Sequence, residues 1–116
     1  MASKRALSFK YAFEGLVTAL KDQPNLKLHF VAAIAVVFIS YFLHISRTEW
    51  LIIVLTIGFV ITTELTNTAI EEIVDSFTDQ AHPAAKKAKD VAAAAVLVAS
   101  IASVVIGILI FLPYIL

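Results

Sequence analysis

The sequence predicts an all-α membrane protein: an N-terminal amphipathic helix on the membrane surface, then three membrane-spanning helices, in a single domain over 1–116. Three observations lead there. Hydrophobic residues make up 60% of the chain and sit in blocks, His29 to Leu43, Trp50 to Thr63 and Val91 to Leu116, separated by short charged segments. The last block runs 26 residues without an acid, lysine or arginine, enough to cross a bilayer core, whereas a soluble bundle would place charges every few residues on each helix. The first 28 residues are charged throughout and lack the apolar core of a secretion signal, so they are expected to belong to the working protein. Nine acids balance nine bases, which argues against a nucleic-acid partner, and the absence of cysteine removes disulfides and thiolate metal sites.

The surface helix is expected over 1–24. Leu7, Tyr11, Phe13, Leu16, Val17 and Leu20 alternate there with Lys4, Arg5, Lys10, Glu14 and Lys21, as in a helix lying in the interface. Gln23-Pro24-Asn25 interrupts it, because proline lacks an amide proton and disfavours helix in the residue before it. The first span follows over 26–45, closed by the turn His44-Ile45-Ser46-Arg47 between the interfacial aromatics Tyr41 and Trp50. A second helix over 49–75 carries only about 14 apolar residues, roughly 21 Å, before Glu64, so that acid lies within the bilayer near one face. A third helix over 86–114 is rich in small residues (Ala92 to Ala95, Ala99, Ser100, Ala102, Ser103, Gly107) that let helices approach closely in lipid. Eight of the nine bases fall on the side of the N-terminus and the second loop, and only Arg47 lies across. By the positive-inside rule the N-terminus and the acidic stretch are cytoplasmic and the C-terminus is outside.

The chemistry concentrates in Glu64-Leu65-Thr66-Asn67-Thr68-Ala69-Ile70-Glu71-Glu72-Ile73-Val74-Asp75. At about 100° per residue, Glu64, Thr68, Glu71 and Asp75 share one helix face with Asn67 at its edge. No lysine or arginine occurs between Glu49 and Lys86, so Glu64, Glu71, Glu72, Asp75 and Asp79 have no local cation, and an external partner, a divalent metal or protons, is expected to neutralise them. Lys86, Lys87, Lys89 and Asp90 face the same boundary. Acids able to hold Mg²⁺ and lysines able to hold phosphate meet the needs of phosphoryl transfer, and with glycines only at 15, 58 and 107 a glycine-rich phosphate loop is excluded. Composition alone leaves a small ion-coupled transporter equally open, since an intramembrane acid serves either.

The acidic block, followed 13 residues after Asp75 by Ala88-Lys89-Asp90-Val91-Ala92-Ala93-Ala94-Ala95-Val96-Leu97, resembles the signature of the bacterial diacylglycerol kinase family, particularly its undecaprenol kinase branch. Weaker similarity extends through Gly15-Leu16 and Asn25-Leu26-Lys27-Leu28-His29. The resemblance implies a homotrimer in the bacterial cell membrane that transfers the γ-phosphate of ATP to a lipid alcohol, undecaprenol first and diacylglycerol as the alternative. It implies Glu64 as the catalytic base and Glu71 as a metal ligand that also serves the nucleotide. Lys89, Asp90, Asn67, Tyr11, Lys4 and His82 are its nucleotide-side residues. A second metal ligand falls at Gln23, where many members carry glutamate; a carboxamide oxygen there brings no charge.

Overall fold

Every helix start but one in this chain coincides with a side chain able to take up a free amide. The computed structural model describes residues 3–78 and 82–116, and within them four helices form: α1 (Lys4–Asp22), α2 (Pro24–Phe42), α3 (Arg47–Phe77) and α4 (Pro83–Ile115). Ser3 caps α1 by accepting from the Ala6 amide. Ser46 and Glu49 cap α3 reciprocally: the serine hydroxyl accepts from the Glu49 amide and the Glu49 carboxylate from the Ser46 amide. This box starts α3 at Arg47 rather than 49. His82 Nδ1 accepts from the Ala84 amide, and Pro83, with φ already helical, occupies the first position, so α4 starts before 86. Of the acids, Asp79 lies outside the described residues.

The exception is α2, which needs no side-chain cap because its first residue is Pro24. The proline forces Gln23 into extended backbone, and this single residue is all that separates α1 from α2. Leu26, in the first turn of α2, is fully buried. At its other end α2 stops at Phe42, short of 45, in a Schellman turn: Ile45 donates to the Ser40 carbonyl, His44 to the Tyr41 carbonyl, and His44 takes a left-handed φ of 54°. Ile45 then folds back into a small core with Ile53 and Ile110, against which Trp50, Val36 and Phe111 pack.

Helices α2, α3 and α4 are each long and apolar enough to cross a membrane, which fits a multi-pass membrane protein. At 1.5 Å per residue the 31 residues of α3 and 33 of α4 give about 46 and 50 Å, more than the ~30 Å hydrocarbon core, so both project beyond it. The described chain measures 51 × 45 × 21 Å, a layer barely two helices thick. Helices α3 and α4 make the most extensive contact, α2 packs on α3, and α1 touches α2 and α3 lightly. The seams follow a four-three spacing: Ile53, Ile57, Val60, Glu64, Asn67 and Glu71 on α3, and Ala92, Val96, Ala99, Ser103, Ile106 and Ile110 on α4 are the residues turned inward. Of the small residues on α4, only Ala92 and Ala99 are buried; a methyl group at Gly107 would meet nothing closer than Phe111 at 4.0 Å.

The left-handed conformation of His44 is one that a Cβ opposes by about 1–2 kcal/mol. Replacing His44 with glycine relieves that clash at the cost of a more flexible unfolded chain. His44→Gly should stabilise the protein by up to about 1 kcal/mol, read from unfolding by sodium dodecyl sulfate in mixed micelles.

Candidate active site

Because Glu64 and Asn67 occupy inward positions of the α3 seam, their polar groups are carried into the packed layer with the apolar residues beside them. Glu64 is 3% exposed and Asn67 8% exposed. The Glu64 carboxylate faces α2, with Oε2 3.7 Å from Nε2 of His29, within ion-pair reach and longer than a direct hydrogen bond. The Thr68 hydroxyl bonds back to the Glu64 carbonyl, so it is not available to the carboxylate. One turn on, Asn67 Nδ2 donates to Glu71 Oε1 at 3.2 Å. That bond orients the amide and leaves Asn67 Oδ1 buried without a partner.

The acids divide in a way their helical spacing does not reveal. Asp75 accepts from Lys89 of α4 at 2.9 Å, so the expectation that all these acids await an external cation is corrected at that position. The lysine comes from 14 residues away and is delivered by the packing of α3 on α4. Its ammonium also lies close enough for Glu71 and Asp90 to act on its charge. Asp90 takes Lys86 at 2.6 Å one turn back along α4. Both pairs are exposed and cheap to open, since water screens them and the long side chains lose entropy in holding them. Lys89 and Asp90 are therefore adjacent in sequence but engaged with different partners.

Two cavities lie along α3, one on its N-terminal half and one beside its acidic half. One, about 320 Å³, is an apolar cleft among α2, α3 and α4, bounded by His29, Ala33, Val60, Ser103 and Phe111. The other, about 590 Å³, lies between α1 and α3 and collects Gln23, Asp22, Glu72, Thr68 and Gly15. Gln23 thus shares a cavity with Glu72, while Glu71 faces Asn67. Tyr11 and Lys4 are exposed on the N-terminal part of α1 and make no side-chain hydrogen bond or ion pair among the described residues; His82 is taken up as the cap of α4.

No three acids or histidines gather into one metal shell among the described residues. A magnesium ion needs only one or two carboxylates when phosphate oxygens and water complete its octahedron, and the Glu71 carboxylate beside the unpartnered Asn67 oxygen is a hard-oxygen pair of that kind. His29 is the residue the sequence reading missed. It stands at the edge of an apolar block, and an ionisable side chain there is itself a pointer to function.

A bundle of membrane-spanning helices with a carboxylate sealed into its packing seam, and acids and lysines gathered at one end, has the form of an enzyme working at the edge of the bilayer. The sequence pattern described as "Prokaryotic diacylglycerol kinase" matches residues 10–111. The chain is 46% identical over 106 residues to the undecaprenol kinase of Bacillus subtilis, covering 91% of this chain and 86% of that protein. It is 39% identical over 114 residues to a diacylglycerol kinase of Synechocystis, covering 97% of this chain and 65% of that longer protein. A diacylglycerol kinase of Escherichia coli matches at 30% over 95 residues, 82% of this chain and 78% of that one. The chain belongs to the prokaryotic diacylglycerol kinase family, and it is a lipid kinase. That membership sets aside the ion-coupled transporter.

An unpartnered oxygen in a buried site is a stability liability retained for another purpose. Asn67→Leu should raise the thermal midpoint of the detergent-solubilised protein, by an amount corresponding to about 1 kcal/mol, while lowering kinase activity at least tenfold. A destabilised leucine variant would show that the Asn67–Glu71 bond is needed for packing.

Proposed function

We propose that this protein transfers the γ-phosphate of ATP, with Mg²⁺, to a membrane lipid alcohol, undecaprenol before diacylglycerol, with Glu64 as the general base. The observation that carries this reading is Glu64 itself: a carboxylate 3% exposed, one turn from the apolar cleft on one side and from the polar Asn67–Glu71 pair on the other. A lipid hydroxyl reaching up the cleft and a phosphate arriving from water meet only at such a depth. The preference for a polyprenol is supported by the 46% relative that carries that name, and diacylglycerol is kept as the second acceptor by the 39% relative that spans nearly the whole chain.

In the proposed reaction Glu64 takes the proton of the acceptor hydroxyl as its oxygen attacks the γ-phosphorus in line, and the bond from that phosphorus to the bridging oxygen breaks to release ADP. Glu71 and Asn67 would hold the magnesium, which when bound neutralises the charge on the phosphate oxygens. Gln23 would serve as a second, uncharged ligand across the α1–α3 cavity. Lys89 exchanges Asp75 for phosphate, a swap favoured by the exposed position of that pair. Asp90, Tyr11, Lys4 and His82 complete the nucleotide side as the family resemblance implies. The bases concentrated near α1 and the start of α4 support a cytoplasmic N-terminus and active site, with α1 on the membrane surface and the C-terminus outside. Outward Phe38, Leu55, Phe59 and Leu109 suit a lipid environment, and assembly as a homotrimer in the bacterial cell membrane is what the family resemblance implies.

The decisive assay measures phosphate transfer from ATP to undecaprenol and to dioleoylglycerol side by side with purified protein. Transfer to undecaprenol at the higher kcat/KM is expected; preference for dioleoylglycerol reverses the assignment. Glu64→Gln keeps the shape of the side chain without a proton acceptor and should lose at least 10³-fold in kcat while ATP binding changes less than twofold, an expectation at the upper part of the range for removing a general base.

Glu71→Ala should raise the Mg²⁺ concentration for half-maximal activity at least tenfold. Glu72→Ala should raise it less than threefold, because Glu72 is turned by about 100° from Glu71 and opens into the other cavity. Equal shifts from a Mg²⁺ titration would remove Glu71 from the metal.

A further inference from the structure

Among the described residues the carboxylate of Glu64 has one ion-pair neighbour, and it comes from a different helix. His29 lies on the inward stripe of α2 formed by Leu26, His29, Ala33, Val36 and Ser40, which presses on α3. Its side chain is 23% exposed, its Nε2 is 3.7 Å from Glu64 Oε2, and its ring also borders the apolar cleft. A histidine is the last polar group before the cleft on the α2 side, and the next turn of α3 toward the cleft offers only Val60 and Ile61. A lone carboxylate at this depth has no other side chain to fix its direction, because Thr68 is spent on a backbone carbonyl and Asn67 on Glu71.

We propose that His29 is the positioning residue of the base: its ring nitrogen holds Glu64 from across the α2–α3 seam and aims the free carboxylate oxygen toward the mouth of the cleft, where the acceptor hydroxyl arrives. This rests on the reading of Glu64 as general base. An imidazole offers an N–H from Nε2 in one neutral tautomer and in the charged form alike, so the role does not depend on its ionisation. The small gap between 3.7 Å and a hydrogen bond closes when the hydroxyl enters and the site tightens, as catalytic contacts commonly do on substrate binding. No proton is transferred to His29 in this scheme. The hydroxyl proton ends on Glu64, the new oxygen–phosphorus bond forms, and ADP leaves.

The test compares His29→Phe, which keeps a flat ring without a donor, with His29→Gln, which keeps an N–H donor, in undecaprenol mixed micelles. The phenylalanine variant should lose at least tenfold in kcat with KM for ATP within twofold of the parent, and the glutamine variant should recover kcat to within threefold. A merely structural histidine would give equal losses in the two variants, or a loss tracking the thermal midpoint, and either result overturns the proposal, as does parental kcat in His29→Phe. Should the phenylalanine variant not fold, His29→Ala assayed with added imidazole replaces it: restored kcat supports the role and unchanged kcat overturns it. Glu64→Gln run alongside separates the two readings. An active Glu64→Gln sinks the general base, whereas an inactive Glu64→Gln beside a fully active His29→Phe sinks only the role of His29.

Discussion

The site depends on one constraint: a carboxylate has been put on a packing seam. The residues that bring α3 against its neighbours recur every four and three positions from Ile53 to Glu71, and Glu64 takes a place in that series that a leucine would take elsewhere. A side chain at an inward position is buried whatever its chemistry, and burying a carboxylate is costly unless something faces it. Among the described residues His29 alone stands opposite that carboxylate, from α2, while the other polar groups of the face pair among themselves, Asn67 with Glu71 and Asp75 with Lys89. The polar site is the upper end of the same seam whose lower end is the Ile45, Ile53 and Ile110 core. The two ends are therefore coupled by the rigidity of one uninterrupted helix.

A layer this thin has almost no interior. Side chains such as Phe38, Phe42, Leu55, Phe59 and Leu109 stand outward and would be ruinous in water, yet against lipid tails or another apolar helix face they cost nothing. The hydrophobic effect thus drives the helices into the bilayer but contributes little to holding them side by side. What holds them is close fit and polar contact: Ala92 and Ala99 admit the backbone of α3, the Tyr114 hydroxyl donates to Glu49 at one end, and Lys89 meets Asp75 at the other. Glu49 takes that phenol in addition to capping its own helix, which ties the end of α4 to the start of α3. These two contacts mark the ends of the α3–α4 seam, the exposed Lys89–Asp75 pair adding little to its strength, and the apolar cleft opens between these helices and α2.

Sequence and structure part company where a contact crosses between helices. The number of spans and the interruption at Gln23-Pro24 are local matters, decided by runs of a few residues, and the sequence is sufficient for them; the capping box Ser46-Arg47-Thr48-Glu49 is just as local, but the expected start at 49 passed over it. The face shared by Glu64, Glu71 and Asp75 follows from helical geometry alone, and so did the singling out of Glu64. The apparent lack of a cation for Asp75 was a limit of local reading, because Lys89 is far along the chain and reaches it only once α4 has folded back. The small residues of α4 were legible only as a set: the composition shows how many there are, but which of them face a neighbour depends on the rotation of the helix, and that selected Ala92 and Ala99.

By itself the sequence determined a membrane-spanning all-helical chain with its acids on one face of α3, its kinase-family signature and its short connections, because each of these rests on hydropathy, helical periodicity or motif spacing within one segment. Only the tertiary structure decided that Glu64 looks at His29, that Gln23 shares a cavity with Glu72 rather than Glu71, that Asn67 keeps a bare oxygen, and that an apolar cleft ends one turn from Glu64. The physical reason is rotation and offset. A helix pattern specifies which residues share a face, but the angle and height at which one face meets another are set by how all the side chains of the seam fit together at once.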